Sequence, residues 1–408
     1  MSKTHDVIVV GGGPSGVAAA VELRRRGVKD VVLLDREPEL GGATRHCSHS
    51  PFGMLEFGRV YVGASYGRRL QRETTEAGVD VRTSHSVVRL GDNGELLVSS
   101  PDGVSTLRGQ RIITSTGARE TPRSARLVTG DRPIGVLTTG TLQAYVAFHG
   151  LMPFRKPVIV GSELVSLSAI LTCVSHGARP VAVVESNDRA TVKAPLTWLP
   201  NLLGIPFYKG AAIVDIKGRA RVEAITLCCS GKRIDIECDG VLFTGRFTPE
   251  ASLHMLSSLG VHPRSGAPVV DQCGRLENPI YFAAGNVLRA VETGGWAFRE
   301  GRSVGSAVAG DLAQRVSVRT PVRVEFSDPI KLVVPGIIAT GDNVAVSAFE
   351  DFQLRMTRRA VGRIALVVDG RTVWQKTAQW LPERRILVPI PAGADKAGQI
   401  SFVFEESA

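Results

Sequence analysis

Three glycines near the N-terminus have the spacing of a loop that binds phosphate groups. They are Gly11, Gly13 and Gly16. An apolar run at residues 7–10 precedes them, and a helical segment at residues 14–26 follows. In such a strand–turn–helix unit, the first glycine permits a tight turn, the second lets the backbone approach a pyrophosphate, and the third lets helix and strand pack closely. The helix N-terminus also favours the phosphate charge.

An acidic residue follows at the distance where a ribose would bind. A second apolar strand at residues 31–34 leads into Asp35, 19 residues after Gly16. An acid in this position binds ribose hydroxyls in dinucleotide-binding folds. The strand, the helix and the acid therefore predict a dinucleotide-binding fold, which a glycine pattern alone would not.

A second copy of this arrangement, at residues 156–188, has lost most of its glycines. Gly161 keeps its place, but Glu163 stands where the backbone would meet the pyrophosphate, and Ser166 replaces the packing glycine. A carboxylate there would clash with a diphosphate and repel it. Two interpretations follow. The fold survives only as a scaffold, or NAD shifts in its site and still binds, with Glu185 on its ribose.

Two later strands end in short motifs that extend the pattern. Residues 111–123 read RIITSTGARETPR, and residues 278–286 read NPIYFAAGN. Taken in this order, the three motifs resemble the two-dinucleotide-domain flavoproteins, whose best-known members are the pyridine-nucleotide-disulfide reductases. The resemblance spans roughly residues 5–318 and implies FAD in the first fold and NAD(P)H in the second. Asn286 replaces the family's aspartate; it can hydrogen-bond a hydroxyl but adds no negative charge.

The resemblance also places residues near the flavin. Disulfide reductases carry a redox cysteine pair within the region of residues 41–53, where this chain has Cys47 alone, so dithiol chemistry in that form is excluded. A protonated His49 would lower the thiol pKa and make Cys47 nucleophilic; a packed thiol and a hydrogen-bonded histidine are the alternative. Residues 293–295 open a helix whose N–H groups would face the flavin pyrimidine and stabilise the reduced ring.

These considerations give the expected site. The expected catalytic residues are Cys47 and His49, with no metal. The expected cofactor-binding residues are Gly11, Gly13, Pro14, Ser15, Gly16, Asp35, Arg36, Gly42, Thr44, Arg45, His46, Val87, Thr116, Gly117, Gly285, Asn286, Thr293, Gly295 and Trp296. The expected cofactor is FAD, with NAD in the second fold as an alternative that Glu163 opposes.

Three segments narrow the resemblance to a smaller group within the family. They are residues 41–53, 117–120 and 135–143. They look like FAD-binding subunits of heteromeric dye-linked dehydrogenases, among them the opine oxidase, hydroxyproline and proline dehydrogenase, and hydrogen cyanide synthase assemblies. This implies a second FAD-containing, oxidase-like subunit that acts on a small-molecule substrate, and an iron–sulfur protein as a further electron relay. The Cys-rich C-terminal segment common in such relatives is missing here, which argues against an iron–sulfur site within this chain.

Composition and charge exclude several classes of protein. The 408 residues include 49 Lys and Arg and 39 Asp and Glu, a net charge of +10. The basic residues are spread out, which is typical of a solvated surface, with an acidic partner or anionic ligand as the alternative. No nucleic-acid motif is present and aromatics are few. No apolar run of about 18 residues, signal peptide or Cys-x-x-Cys pair is found, so we expect a cytoplasmic protein without a membrane span.

The C-terminal segment changes character. From residue 319 to 408, valine-rich stretches alternate with turns, which predicts a β-rich domain for interaction, for capping, or for packing alone. The expected fold class is α/β, with two Rossmann-like dinucleotide-binding folds, the second inserted in the first, plus this β-rich C-terminal domain. The expected boundaries are 1–125 and 275–318 for the FAD-binding fold, 155–274 for the second fold and 319–408 for the tail.

The leading functional hypothesis is an FAD-dependent oxidoreductase. It would be the electron-transferring flavin subunit of a multi-subunit dehydrogenase or oxidase that acts on amino acids, imino acids or opines, and it would rely on the cofactor for the chemistry. The first alternative is a standalone NADH-dependent flavin reductase, which Glu163 opposes. The second is a nucleotide-binding scaffold subunit without its own catalysis.

Overall fold

A computed structural model describes residues 3–47, 49, 51–290, 292–313, 319–340 and 347–407. The expected end of the flavin fold at residue 318 lies outside these residues. Within the described chain, no helix is both long enough and apolar enough to cross a membrane. The helices are α1 (Pro14–Arg25), α2 (Met54–Phe57), α3 (Gly63–Glu76), α4 (Thr139–His149), α5 (Leu164–Ser175), α6 (Leu199–Leu202), α7 (Ser252–Met255) and α8 (Gly294–Ala313).

The strands fall into three groups along the chain. Those before the second dinucleotide motif are β1 (Thr4–Val10), β2 (Val31–Leu34), β3 (Asp80–Arg82), β4 (Ser86–Leu90), β5 (Glu95–Ser100), β6 (Gly103–Thr114), β7 (Ala118–Glu120) and β8 (Val136–Thr138). The middle group is β9 (Pro157–Val160), β10 (Ala182–Glu185), β11 (Phe207–Lys209), β12 (Ala211–Lys217), β13 (Ala224–Cys229), β14 (Lys232–Glu237), β15 (Gly240–Phe243), β16 (Phe247–Pro249) and β17 (Tyr281–Ala283). The last group is β18 (Arg319–Phe326), β19 (Ile330–Val334), β20 (Ile337–Thr340), β21 (Asp351–Met356), β22 (Ala360–Val368), β23 (Arg371–Trp380), β24 (Ile386–Pro389) and β25 (Ile400–Glu406).

The first sheet is the predicted N-terminal dinucleotide fold. Its order is β3-β2-β1-β6-β5-β4, and β17 also pairs with β6. The strands β3, β2, β1, β6 and β17 run parallel, whereas β4 and β5 form an antiparallel extension. The apolar residues of β1 and β2 are buried on both faces, as a parallel sheet covered by helices requires.

Helices α1 and α8 lie against each other on this sheet. Added Cβ atoms at Gly301 and Gly305 of α8 would collide with backbone atoms of α1 at Ser15 and Ala19. The two glycines therefore allow the helix backbones to touch. This close packing places the N-terminus of α1 and the C-terminal end of β17 at the same edge of the sheet.

The second fold is inserted between β6 and β17. The chain leaves through β7 and returns through β16, and these two strands pair antiparallel at residues 118–120 and 247–249. The inserted sheet has the order β11-β10-β9-β15-β8 and is parallel throughout. One face packs against α4, α5 and α6, and the other packs against the three-stranded meander β12–β13–β14. The predicted α/β class with one fold inserted in the other is confirmed.

The observed sheets suggest different boundaries from 155–274 for the inserted fold. Strand β8, at residues 136–138, already belongs to the second sheet because it pairs with β15. Ala251, Val270 and Leu276 pack instead into the core of the first sheet. We therefore propose that the β7–β16 pair marks the border of the insertion. Strand β8 is too short for its pairing to be evident from sequence.

The C-terminal residues form a β-rich unit, as predicted. A five-stranded sheet, β20-β18-β25-β22-β23, and a three-stranded sheet, β19-β21-β24, enclose a separate apolar core. Phe352 of one sheet meets Phe402 of the other edge to face at 5.3 Å. Arg355, Glu383 and Arg385 of this unit make ion pairs with the two preceding folds.

Candidate flavin site

The glycine-rich loop connects β1 to α1 as predicted. Gly11 has φ +105°, and an added Cβ would lie 2.5 Å from the Ser115 carbonyl oxygen. An added Cβ at Gly16 would collide with the Gly11 carbonyl oxygen. Gly13 is different because its φ of −75° suits any residue, and an added Cβ would meet only the Gly42 Cα, at 4.0 Å. No contact within the described chain explains why position 13 is a glycine. A ligand that approaches the backbone there would explain it.

The start of α1 is prepared for an anion. Pro14 occupies the first helical turn and no side chain caps the helix, so its N–H groups are open to a ligand. The Ser15 hydroxyl is buried and has no hydrogen-bond partner among the described residues. A buried hydroxyl without a partner is costly. A phosphate oxygen of FAD would satisfy this hydroxyl, and the residues present therefore fit the diphosphate.

Asp35 connects the glycine-rich loop to the segment that follows β2 through hydrogen bonds. Its Oδ2 accepts a hydrogen bond from the Gly12 N–H at 2.6 Å, and its Oδ1 accepts one from the Glu37 N–H at 2.8 Å. Burial raises the pKa of the Asp35 carboxyl above its ordinary value. Each carboxylate oxygen keeps a second lone pair for a ribose hydroxyl. The neighbouring Arg36 side chain is exposed and lies 3.7 Å from the Glu37 carboxylate.

A second glycine pair closes over the glycine-rich loop. Gly41 donates its N–H to the Gly12 carbonyl oxygen at 2.8 Å, and an added Cβ at Gly42 would lie 3.1 Å from the Gly13 Cα. Thr44 holds this turn by donating its hydroxyl to the Gly41 carbonyl oxygen at 2.7 Å. The structure therefore brings Gly42 and Thr44 to the predicted diphosphate site.

Arg45 and His46 point toward the second fold. The Arg45 guanidinium lies 4.8 Å from the centre of the Phe148 ring and 3.4 Å from the Glu37 carboxylate. The His46 ring meets Phe148 edge to face at 6.1 Å. Burial and the Arg45 charge lower the pKa of His46, so it is neutral at physiological pH. Phe148 thus ties α4 to the flavin loop.

Cys47 does not have the environment of an activated thiol. Its Sγ lies 3.3 Å from the Ala43 carbonyl oxygen and 3.9 Å from the Gln143 side-chain oxygen. Burial, together with the Glu120 charge, raises the pKa of Cys47 to about 12. His49 stacks on Phe52 with ring centres 5.2 Å apart. The sequence predicted that His49 would lower the pKa of the thiol. In the structure this pKa is instead raised, because burial removes water from the thiol.

We expect Cys47 to be nearly inert toward alkylation. In native protein near pH 7.5, iodoacetamide should modify Cys47 at least about 100-fold more slowly than an exposed thiol, because only the thiolate reacts. Peptide mass spectrometry of a time course measures the rate, and the urea-unfolded chain is the control. Modification of native Cys47 as fast as that of glutathione would contradict the assigned environment.

The ends of β6 and β17 meet the first loop. An added Cβ at Gly285, which has φ +83°, would lie 2.7 Å from the Ser15 Cβ. Asn286 exchanges two hydrogen bonds with the backbone of Glu292, at 3.1 and 3.0 Å. Its amide therefore stabilises the turn that leads to α8. The Ser115 hydroxyl, which the sequence did not single out, is buried without a partner in the described chain.

Three further predicted contacts lie along strand ends. Thr116 donates its hydroxyl to the Glu250 carbonyl oxygen at 2.6 Å, where the chain crosses between the folds. An added Cβ at Gly117, which has φ +80°, would meet no atom within 4 Å. Val87 lies in β4, two residues beyond His85, which donates its N–H to the Asp35 carbonyl oxygen at 2.8 Å. The Val87 segment thus runs beside the end of β2.

The start of α8 faces protein groups as well as the first loop. Thr293 precedes the helix, and its carbonyl oxygen accepts a hydrogen bond from the Ala297 N–H at 3.0 Å. An added Cβ at Gly295 would lie 2.8 Å from a carboxylate oxygen of Glu56. The Trp296 ring stacks against the Arg385 guanidinium, 3.8 Å from the ring centre. The Trp296 side chain therefore contacts the C-terminal domain, which the sequence pattern did not anticipate.

The Glu163 carboxylate lies in the turn between β9 and α5 of the second fold. Glu163 precedes α5, and its carboxylate accepts a hydrogen bond from the Thr244 hydroxyl at 2.7 Å. Added Cβ atoms at Gly161 and Gly245 would both run into this carboxylate. The carboxylate therefore lies between the ends of β9 and β15. Burial, with the nearby charge of Glu185, raises its pKa.

Glu185 stands in the second fold where Asp35 stands in the first. Glu185 accepts hydrogen bonds from the Ser162 hydroxyl and from the backbone and side-chain N–H groups of Asn187, at 2.9 and 2.7 Å. Ser162 in turn accepts the Thr191 N–H at 2.9 Å. These contacts parallel those of Asp35, so the case against NAD rests on Glu163 rather than on Glu185.

Glu163→Gln is expected to stabilise the protein at pH 8 more than at pH 4.5. The carboxyl pKa is raised in the folded chain, so its contribution to stability is fully present below the ordinary glutamate pKa and is lost as the pH rises through the folded value. A neutral amide avoids that loss. Thermal unfolding at both pH values measures the effect, with exposed Glu237→Gln as the control. An equal change at both pH values would contradict the raised pKa.

Glu120 is a site residue that the sequence did not identify. Its carboxylate accepts the Gly140 N–H at 2.7 Å and the Gly245 N–H at 3.2 Å, and burial raises its pKa. It lies at the crossing between the folds and contributes to the raised pKa of Cys47. Its place two residues after the Thr-Gly-Ala motif, within the 117–120 segment that carried the resemblance, was the only signal in the sequence.

Comparison with known proteins places this geometry in a family. The family model described as pyridine nucleotide-disulphide oxidoreductase matches residues 5–301. An opine oxidase subunit of Rhizobium meliloti (strain 1021) is 25% identical over 200 residues, which cover 48% of this chain and 42% of the relative. The HcnB subunit of hydrogen cyanide synthase from Pseudomonas aeruginosa is 29% identical over 246 residues, covering 54% of this chain and 50% of the relative. The matched region thus spans half or less of each of these relatives.

A solved structure confirms the arrangement of the two folds. The thioredoxin reductase of T. acidophilum superposes with a TM-score of 0.64 at 21% identity, covering 77% of this chain and all of that one. The family match ends at residue 301, before the C-terminal strands begin. The predicted resemblance is confirmed, and the chain belongs to the pyridine nucleotide-disulphide oxidoreductase family of FAD-binding oxidoreductases.

Proposed function

We propose that this chain is the electron-transferring, FAD-binding subunit of a multi-subunit dehydrogenase or oxidase whose substrates are amino acids, imino acids or opines. Its expected partner is a second FAD-containing, oxidase-like subunit, with an iron–sulfur protein as a further relay. The relatives named above are themselves described as subunits, which supports this assignment.

The observation that carries the proposal is the position of the Glu163 carboxylate at the start of α5. It lies beside Thr244, Gly161 and Gly245, where we expect the pyrophosphate of a dinucleotide to bind. A dinucleotide would have to displace this carboxylate or would meet its negative charge. Electrons are therefore expected to come from a partner subunit rather than from NADH or NADPH.

The residues of the first fold have binding and orienting roles. Bound FAD would supply the centre that accepts and releases electrons. The N-terminus of α1 and the Ser15 hydroxyl would hold the diphosphate, and Asp35 would hold a ribose. His46 and Cys47 lie in the loop after Gly42, and we expect neither to act as an acid or a base, because burial lowers the pKa of His46 and raises that of Cys47.

The test is anaerobic reduction of the FAD-loaded full chain. We expect NADH and NADPH to leave the flavin absorbance unchanged over a period in which dithionite removes it completely. A candidate amino acid, imino acid or opine should bleach the flavin only when the partner subunit purified with the chain is present. Rapid bleaching by NADH alone would instead establish a standalone flavin reductase. A complete complex whose flavin no donor reduces would indicate a scaffold subunit.

A further inference from the structure

Four large apolar side chains are exposed between residues 54 and 62. Met54 and Leu55 of α2 are 58% and 45% exposed, and Val60 and Val62, in the loop between α2 and α3, are 60% and 47% exposed. Single apolar residues at a protein surface are ordinary, but these four fall within nine residues of the chain. Apolar side chains that cluster at a surface mark a site where another molecule binds.

Arginines without acidic partners lie beside these apolar residues. Arg59 is in the same loop, and Arg68 and Arg72 are one turn apart on α3. Arg299 of α8 donates a hydrogen bond to the Leu55 carbonyl oxygen at 3.0 Å. All four arginines are exposed, and none of them makes an ion pair with another residue that the structure describes. We call the outer surface of residues 54–72, together with Arg299, the α2–α3 face.

The acids near the α2–α3 face are engaged by other groups. Glu56 is the one acid in residues 54–72, and its carboxylate accepts a hydrogen bond from the buried Tyr66 hydroxyl. Glu73, the next acid along α3, is buried and pairs with Arg25 and Arg69. The face therefore carries positive charge that the neighbouring carboxylates do not balance.

A groove in the α2–α3 face brings two of the arginines together with an aromatic ring. It has a volume of about 480 Å³ and is lined by Tyr61, Ser65, Arg68, Gln71 and Arg72. Residues four apart on a helix are neighbours on its surface, so a carboxylate that enters the groove would meet both guanidinium groups. The groove is therefore suited to an acidic side chain.

The composition of the face favours a protein as its occupant. Protein interfaces are enriched in aromatic residues, Met and Arg and depleted in Lys, and residues 54–72 contain four arginines and no lysine. The planar guanidinium group binds a carboxylate through two parallel hydrogen bonds. Because the unbalanced charge of the face is positive, the protein that complements it presents an acidic surface.

Other occupants fit the same surface less well. A second copy of this chain, related by a two-fold axis, would place arginines against arginines. Interfaces with nucleic acids are more polar than those with proteins, whereas this face exposes four large apolar side chains. Helices that lie on a membrane surface are usually long and amphipathic, and α2 has four residues.

The face is one layer of side chains away from the expected flavin position. An added Cβ at Gly294, the first residue of α8, would lie 3.6 Å from the Phe52 ring and 3.9 Å from the Pro14 ring. An added Cβ at Gly295 would lie 3.1 Å from the Leu55 Cβ. The starts of α1 and α8 thus lie directly beneath residues 52–55. Electron transfer slows steeply with distance, so a redox protein bound to this face would be well placed to exchange electrons with FAD.

We propose that the α2–α3 face binds the oxidase-like, FAD-containing subunit of the complex, and that this subunit contributes an acidic surface with an apolar centre. Its carboxylates pair with Arg59, Arg68 and Arg72, and its apolar side chains cover Val60 and neighbouring residues. The inference rests on the proposed function, to which it adds the place and the charge of the contact. Attraction between opposite charges is screened by salt, so the affinity of the two subunits should fall as ionic strength rises.

The test is the affinity of the FAD-loaded full chain for the FAD-containing subunit that copurifies with it, measured by isothermal titration calorimetry. Arg72→Glu should raise the dissociation constant at least about 30-fold at low salt, the effect of losing a central interface residue, and by less at high salt. Val60→Ser should raise it about 10-fold at both salt concentrations, because the lost contribution is apolar burial. Arg371→Glu, at an exposed arginine of β23, makes the same charge change elsewhere and is the control; it should leave the dissociation constant nearly unchanged.

Flavin reduction separates this inference from the proposed function. With substrate and a limiting concentration of the partner subunit, the flavin of Arg72→Glu should bleach more slowly than that of the wild type and recover with excess partner. Dithionite should bleach both proteins alike. If the partner binds both face variants as tightly as the wild type, the docking site is wrong, although the proposed function stands wherever substrate still bleaches the flavin. If the variants lose affinity as expected but no substrate reduces the wild-type complex, the docking site stands and the proposed function fails.

Two further probes examine the other occupants. Hydrogen exchange should show that the partner subunit protects residues 54–62. Vesicles of phosphatidylcholine and phosphatidylserine, and single-stranded DNA, should not bind the wild type with an affinity that Arg72→Glu abolishes. If either of them does so while the affinity for the partner subunit is unchanged, the proposal is overturned and the face is assigned to that ligand. A chain that purifies without any FAD-containing partner overturns both this inference and the proposed function.

Discussion

Gly13→Ala is expected to weaken FAD binding about 100-fold while the stability of the FAD-free chain changes by less than about 1 kcal/mol. The backbone at Gly13 suits any residue, and an added Cβ would touch only the Gly42 Cα at 4.0 Å. The methyl group would instead occupy the approach of the diphosphate to the start of α1. Displacement of the diphosphate loses charge-assisted hydrogen bonds, each contributing roughly 1.5–3 kcal/mol. Fluorescence titration with FAD and thermal unfolding of the FAD-free chain measure the two quantities.

Gly16→Ala is the contrasting variant. An added Cβ there would collide with the Gly11 carbonyl oxygen, so we expect both FAD affinity and the stability of the FAD-free chain to fall. The comparison separates a glycine required by the ligand from one required by the fold. If Gly13→Ala binds FAD as tightly as the wild type, the diphosphate does not lie at this loop.

Glu292→Ala is expected to destabilise the protein by about 3–5 kcal/mol, the range for breaking a buried ion pair. The Glu292 side chain is 6% exposed and lies 2.6 Å from the Arg355 guanidinium and 3.2 Å from that of Arg385. Both arginines belong to the C-terminal domain, and Arg385 also stacks on Trp296. Loss of the carboxylate leaves buried positive charge beside α8. Urea unfolding followed by tryptophan fluorescence measures the change.

The matched control for Glu292 is Glu406→Ala. Glu406 pairs with Arg358 at 2.7 Å, but both side chains are about half exposed, so solvent screens the pair and we expect little change in the unfolding midpoint. Equal effects of the two substitutions would show that the cluster around Glu292 does not join the C-terminal domain to the flavin fold.

Cys47 and Trp296 illustrate what could not be predicted from the sequence. The position of Cys47 in the cofactor loop was evident from the motif, and the structure places it in that loop. Its pKa depends on how much water reaches the sulfur and on the Glu120 charge, which comes from a segment more than 70 residues away. Similarly, Trp296 stacks on Arg385. These residues are far apart in the chain, and no motif in the sequence indicates that they are in contact.

The border that we propose for the inserted fold illustrates the same limit. Strand β15 at residues 240–243 pairs with β8 at residues 136–138, which connects segments about 100 residues apart. Residues 251–276 follow the inserted sheet in sequence, yet their apolar side chains pack on the first core. Strand pairing between distant segments is decided by packing, so local patterns locate elements better than they locate borders.

By itself, the sequence determined the two dinucleotide folds and predicted that the second has lost its nucleotide, because both inferences depend on glycines and acids whose spacing along a strand, a turn and a helix is set by local backbone geometry. Only the tertiary structure decided that Glu163 accepts the Thr244 hydroxyl, that burial and the Glu120 charge raise the pKa of Cys47, and that Trp296 stacks on Arg385. Each of these depends on burial and on distances between residues far apart in the chain, and the free energies of desolvation and charge contact exist only once those residues have been brought together.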